Sequence, residues 1–254
     1  MKKANKLLSV SKRSFAAATL FLHLNSIETK AQQSDQVKSS NMIAKLTRYE
    51  VKPAFQKVFC KAISNYVLYS NGMDSNILSE GYYEQDKPSV LWMIERWSNK
   101  TAFDKFRNNT FKAIDSLSKI GLLQPATTIE VRDLEPLSKK QWRRAASKDD
   151  KPITIMLFVD SKPETEGRFE KIYHEAMPAF RGEPGVINYQ LSRFETDDTK
   201  FVTYEKFRDS AAFQYHLNFP PIQPVIDYLN TSIKKQPFQE GIHTLIEFAP
   251  LVKQ

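Results

Sequence analysis

Two periods of apolar spacing take turns along the chain, and the whole alternation occurs twice. Residues 42–51, MIAKLTRYEV, have the alternation of a strand. Pro53 then suits a helix start, where a missing N–H is harmless. Phe55, Val58, Phe59, Ala62, Ile63 and Tyr66 follow at helical spacing. NGMDS (71–75) reads as a turn. NILSEGYY and SVLWMIERW read as two strands of a longer-looped hairpin around EQDKP. Thr101 is placed to cap a second helix bearing Phe103, Phe106, Phe111, Ile114 and Leu117, and ATTIEVRDL is a last strand.

The second half repeats this order. ITIMLFVD is a strand, RFEKIYHEAMPAF a helix, RGEPG a turn, VINYQLSRF and KFVTYEKF a hairpin. AAFQYHLNF opens a helix that Pro220-Pro221 must break, IQPVIDYLNTSI continues it, and IHTLIEF closes the sheet. Matching positions share one offset of 110: Lys52-Pro53 with Lys162-Pro163, Phe59 with Phe169, Glu95 with Glu205, Ala102-Phe103 with Ala212-Phe213. Several matches in one frame mark an internal duplication. Each copy is β-α-β-β-α-β, the ferredoxin-like unit. Two helices cover one face of such a sheet and leave the other bare. The expected fold is therefore α+β: two ferredoxin-like units whose bare faces close on each other as a single-chain, pseudo-dimeric α/β barrel. The expected boundaries are 42–137 and 151–254, joined by a polar linker, 138–150.

Charge changes little in this picture. The net charge is +8, but six basic residues against Glu28 place five of these charges in residues 1–31, which leaves +3 for the rest. No basic stripe with stacking aromatics is present, so a nucleic-acid partner is not expected. The basic start, the short apolar run SFAAATLFLHL and the small residues Thr29 and Ala31 have the layout of a secretory signal over residues 1–31, followed by a polar linker, 32–41. An exported protein, periplasmic or secreted, without a membrane span after signal removal, is the expectation; organelle targeting and a retained extension are the alternatives. Cys60 is the one cysteine, which excludes an intrachain disulfide and a cysteine metal cluster. H-x-x-x-H, Gly-rich phosphate-loop and G-x-S-x-G motifs are absent.

The Lys-Pro helix starts, the Glu183-Pro184-Gly185-Val186 turn with Tyr189 after it, and the Tyr204-Glu205-x-Phe207 strand end leading into SAAFQYH resemble the antibiotic biosynthesis monooxygenase family of the dimeric α/β-barrel superfamily. The resemblance covers nearly all of residues 42–250, twice; the first copy lacks the Pro-Gly turn and the tyrosine after it. It implies a pocket between sheet and helices of each unit. There a small aromatic or quinol-type substrate reacts with O2 without metal, flavin or haem. It also implies a functional His216 on the second helix, where the first copy has Phe106. Tyr189 and Tyr204 are the companion catalytic candidates, as hydrogen-bonding phenols. His174, Phe207, Trp92, Trp97 and Phe106 are the candidate substrate-binding residues. Each also has a plain packing role: aromatics suit strands and cores, and a lone histidine is often structural. The haem-degrading branch of the superfamily calls for a late second-helix His. Ser116 and Ile226 stand there, with no matching Asn on the first strands, so haem is not expected. A fused barrel permits self-association without needing it. A non-catalytic exported barrel that binds an apolar ligand, or serves as an interaction module, is the alternative to an enzyme.

Overall fold

A bare sheet face is costly, and the chain removes it by closing. The computed structural model describes residues 42–144 and 146–250; the expected signal segment and the linker at 32–41 lie outside them. The first half comprises β1 (Ile43–Glu50), a 3-10 turn at Pro53–Phe55, α1 (Gln56–Asn71), β2 (Asn76–Glu84), β3 (Val90–Trp97), α2 (Lys100–Thr110), α3 (Lys112–Gly121) and β4 (Thr127–Asp133). A connecting turn of helix, α4 (Lys139–Trp142), leads to β5 (Ile153–Asp160), α5 (Glu166–Gly182), β6 (Val186–Phe194) and β7 (Lys200–Phe207). Then come α6 (Ser210–Leu217), a 3-10 turn at Pro220–Ile222, α7 (Gln223–Thr231), a 3-10 turn at Phe238–Gly241 and β8 (Ile242–Ala249). No helix among the described residues is long and apolar enough to cross a membrane.

The strands form a closed antiparallel barrel in the order β1-β3-β2-β8-β5-β7-β6-β4. Each half supplies a four-stranded run, and two seams join them: β2 to β8, with Tyr83 opposite Ile246, and β4 to β6, with Arg132 opposite Arg193. Closure leaves no free sheet edge. Side chains then divide by strand parity. One set, including Leu46, Trp92, Ile94, Met156, Val202 and Leu245, fills the barrel interior. The other faces the helices in two separate cores, one around Phe59, Ile63 and Trp97, the other around Phe169, Tyr173 and Phe180. This is the expected pseudo-dimeric barrel.

Three local expectations change. Asn99, not Thr101, caps α2, its side chain accepting from the Ala102 N–H. The second helix of the first half is broken at Phe111, whose ring turns inward against Tyr66 at 5.2 Å. The linker also does more than connect. Trp142 is 2% exposed and stacks 4.0 Å from the Arg96 guanidinium inside the barrel. Arg96 forms a two-pronged ion pair with Asp133 at 2.7 and 2.9 Å, and Asp133 also accepts from Ser192 across the β4–β6 seam. At the other seam Glu80 accepts from Tyr82, Tyr204 and Lys206, and Lys206 also pairs with Glu247. The interior is thus apolar in the middle and ionic at both joints.

Candidate active site

The polar cluster of the second half begins with a helix end and a tight turn. Asp209 caps α6, accepting from the Ala212 N–H at 2.8 Å. The helix runs for eight residues, and the Pro220-Pro221 pair beyond it prevents continuation. His216, in the last turn of α6, is 1% exposed. The turn after α5 comes very close to α6: a Cβ on Gly185 would lie 2.2 Å from the Ala212 Cβ, so only glycine fits. That approach sets Glu183, which ends α5, beside His216.

Glu183 Oε1 lies 2.7 Å from His216 Nδ1, and the Tyr189 hydroxyl 3.4 Å from Nε2. The Phe180 and Phe207 rings wall the imidazole at 4.9 and 5.4 Å. Burial lowers the His216 pKa to about 4. Burial, and then the Glu205 charge, raises Glu183 to about 7, and burial likewise raises Glu205 to about 7. Burial and Glu205 also push the Tyr189 phenol well above its ordinary value. His216 is therefore neutral near pH 7. When Glu183 is ionised it accepts a hydrogen bond from Nδ1–H, which leaves the Nε2 lone pair toward Tyr189. An acceptor nitrogen in a dry aromatic setting, oriented by a carboxylate, is the arrangement of a general base.

A cavity of about 40 Å³ adjoins this cluster, lined by His216, Tyr173, Tyr189 and Glu205 among apolar side chains that include Ile226. His216, Tyr189 and Phe207 are thus brought together. Tyr204 is not. It pairs in register with Gln190, one step along from Tyr189 opposite Glu205, and so points to the opposite face of the sheet. Its hydroxyl bonds Glu80 and lies 2.8 Å from the Tyr82 hydroxyl inside the barrel. Trp92 also points inside, donating to Glu84 and stacked on Phe158 at 5.7 Å. His174 is exposed on α5 and meets Glu135 at 2.7 Å.

Trp97 and Phe106 occupy the first half's equivalent place. Their rings lie 5.2 Å apart, and Phe106 also meets Tyr66 at 5.4 Å. The offset of 110 puts Met73, Ser79 and Phe106 where the second half has Glu183, Tyr189 and His216. In the first half aromatic packing stands where the second half has a polar cluster. Glu95 and Glu205 are both buried in the sheet-to-helix cores. Glu95 accepts from Tyr66 at 2.8 Å, and Glu205 from Thr203 at 2.7 Å. Sequence reasoning missed Glu183 and Tyr173. Glu183 was visible only as part of the Glu-Pro-Gly turn, and its partner lies 33 residues on. Among the described residues no group of three or more His, Cys, Asp or Glu side chains is placed to hold a metal ion.

Comparison with known proteins gives the same grouping. Residues 42–113 and 152–226, more than half of the chain, match the family described as Antibiotic biosynthesis monooxygenase. The fold is similar to that of a candidate monooxygenase from Fusobacterium nucleatum subsp. nucleatum, with a TM-score of 0.65 at 15% identity, over 82% of this chain and 92% of that one. A candidate monooxygenase from Lactobacillus acidophilus gives 0.66 at 14% identity, over 82% and 94%. At such identities the likeness is one of fold. An uncharacterized protein of Synechocystis sp. is 30% identical over 88 residues, 35% of this chain and 55% of that protein, so the chain spans about half the length of this relative. Two tandem matches, one per barrel half, place the chain in the antibiotic biosynthesis monooxygenase family.

Proposed function

We propose that the second half oxidises a small aromatic or quinol-type substrate with O2, without a bound cofactor, at the cavity beside His216. The observation that carries this reading is the Glu183–His216–Tyr189 arrangement: a neutral, oriented imidazole buried among aromatic rings. His216 Nε2 takes the phenolic proton, and the anion becomes a strong electron donor in a site with little water. One electron passes to O2, the resulting radicals combine as a hydroperoxide, and loss of water leaves a quinone. The overall change is phenol plus O2 to quinone plus water. Tyr189, held protonated by its surroundings, donates a hydrogen bond to the substrate oxygen.

Oxygen uptake with a panel of quinols, naphthols and anthrones tests this. His216→Ala is expected to lower kcat/KM by about 10²- to 10⁴-fold, the range for a positioned proton acceptor. Unchanged turnover in that variant would remove His216 from the reaction. The mostly apolar lining of the cavity favours a second reading, a non-catalytic barrel that takes up an apolar ligand. Ligand binding with no oxygen uptake on any substrate would select it.

A further inference from the structure

The cavity beside His216, at about 40 Å³, has room for two or three waters; a cavity that takes up benzene is about 150 Å³. An aromatic ring reaches His216 only if a wall moves. A second cavity of about 410 Å³ lies on the far side of one such wall, lined by Phe158, Phe194, Phe201 and Ile233 and rimmed by the exposed Lys235 and Glu240. Phe238 lines both cavities. The residues beside it keep the division: Gly241 faces the outer space and Ile242 the inner one.

Three other walls of the inner cavity are firmly held. Tyr173, Val225 and Leu229 are at most 2% exposed within regular helices. Phe238 is half-buried on a four-residue 3-10 turn. That turn is tied by the Glu240 N–H to the Pro237 carbonyl and by an exposed Lys235–Glu240 ion pair, which contributes little. Behind its ring is the larger cavity. Gly241 fixes the hinge side: a Cβ there would sit 2.3 Å from the Phe158 carbonyl oxygen.

We propose that Phe238 is a movable partition between the two cavities, and that its displacement sets the size of aromatic ligand that can reach His216. The two spaces are one divided site, with one ring of a bound molecule beside His216 and the remainder in the outer cavity. Leu217 marks the rival entrance, since it lines the inner cavity and is 42% exposed.

This inference rests on the proposed oxidation site for its biological meaning, but its test needs no turnover. With 1-naphthol as probe, binding is followed by the imidazole nitrogen resonances of His216 in the full chain. Phe238→Ala is expected to tighten binding about tenfold, Phe238→Trp to weaken it about tenfold, and Leu217→Ala to change it less than Phe238→Ala does. Phe238→Leu, expected between wild type and Ala, serves if the Ala variant fails to fold. Equal affinity across the Phe238 variants, no naphthol reaching His216 in any of them, or an effect of Leu217→Ala in their place would overturn the partition. Oxygen uptake read in the same samples separates the two ideas: naphthol that reaches His216 and is not oxidised counts against the oxidation reading and leaves the partition standing.

Discussion

Glu183 decides what His216 can do, and it does so through a single proton. With the carboxyl ionised, Nδ1 donates to it and Nε2 is free to accept; with the carboxyl protonated, that orientation is lost. The Glu183 pKa stands near 7 and that of His216 near 4. Activity that depends on the base form therefore rises with pH through about 7 and shows no loss from His216 above pH 4. Glu183→Gln is expected to shrink the step near 7 to the part that Glu205 carries and to lower kcat/KM by at least about tenfold, at the weak end of general-base effects; a pH series of initial rates checks both. His216 and Tyr189 were legible because they stand at matched motif positions. Tyr204 was misplaced because a strand alternates faces at every residue. It and Tyr189 lie on neighbouring strands one register step apart, so a motif containing both says nothing of which face each takes. Glu183 was hidden because the contact that defines it depends on how closely the Gly185 turn approaches α6.

Among the elements, the paired strands at the seams show how the halves are fastened. Arg96 on β3, Asp133 on β4 and Ser192 on β6 form one buried cluster, with both members of the ion pair only 1% exposed at the side chain. Removing one partner strands a charge in the interior. Asp133→Ala should cost about 3–5 kcal/mol of unfolding free energy, whereas the joint change Arg96→Met with Asp133→Leu should be close to neutral. Urea denaturation of the three proteins makes the comparison. Equal destabilisation by the single and double variants would mean that packing around Asp133, not charge, holds the seam. None of this cluster was legible beforehand, because Arg96 and Asp133 are distant in the chain and sit among strand residues whose apolar neighbours set the pattern. The strands themselves were legible, since period-two alternation survives wherever one face is buried. The break at Phe111 was not, as it lies in the middle of an unbroken helical apolar stripe.

At the scale of the molecule, the tandem arrangement replaces two chains by one. Residues 151–254 alone would expose the edges of β6 and β8 and the interior residues Met156, Val202 and Leu245. That fragment is expected to run as a dimer or larger species in size-exclusion chromatography with light scattering; a folded monomer would mean that the seams are dispensable. The barrel was readable from the repeat because a two-fold offset pattern with one bare face per unit has few other ways to cover itself. The share of the connector in it was not, since Trp142 stands in a stretch of charges with no periodicity to mark it. Its ring lies against Arg96 and, at 5.4 Å, against Tyr204, one residue from each half. Once the join between two repeats supplies the keystone of their shared interior, the fusion acts as an evolutionary ratchet: splitting the gene there would return neither parent, because only one fragment would keep the ring that both halves use.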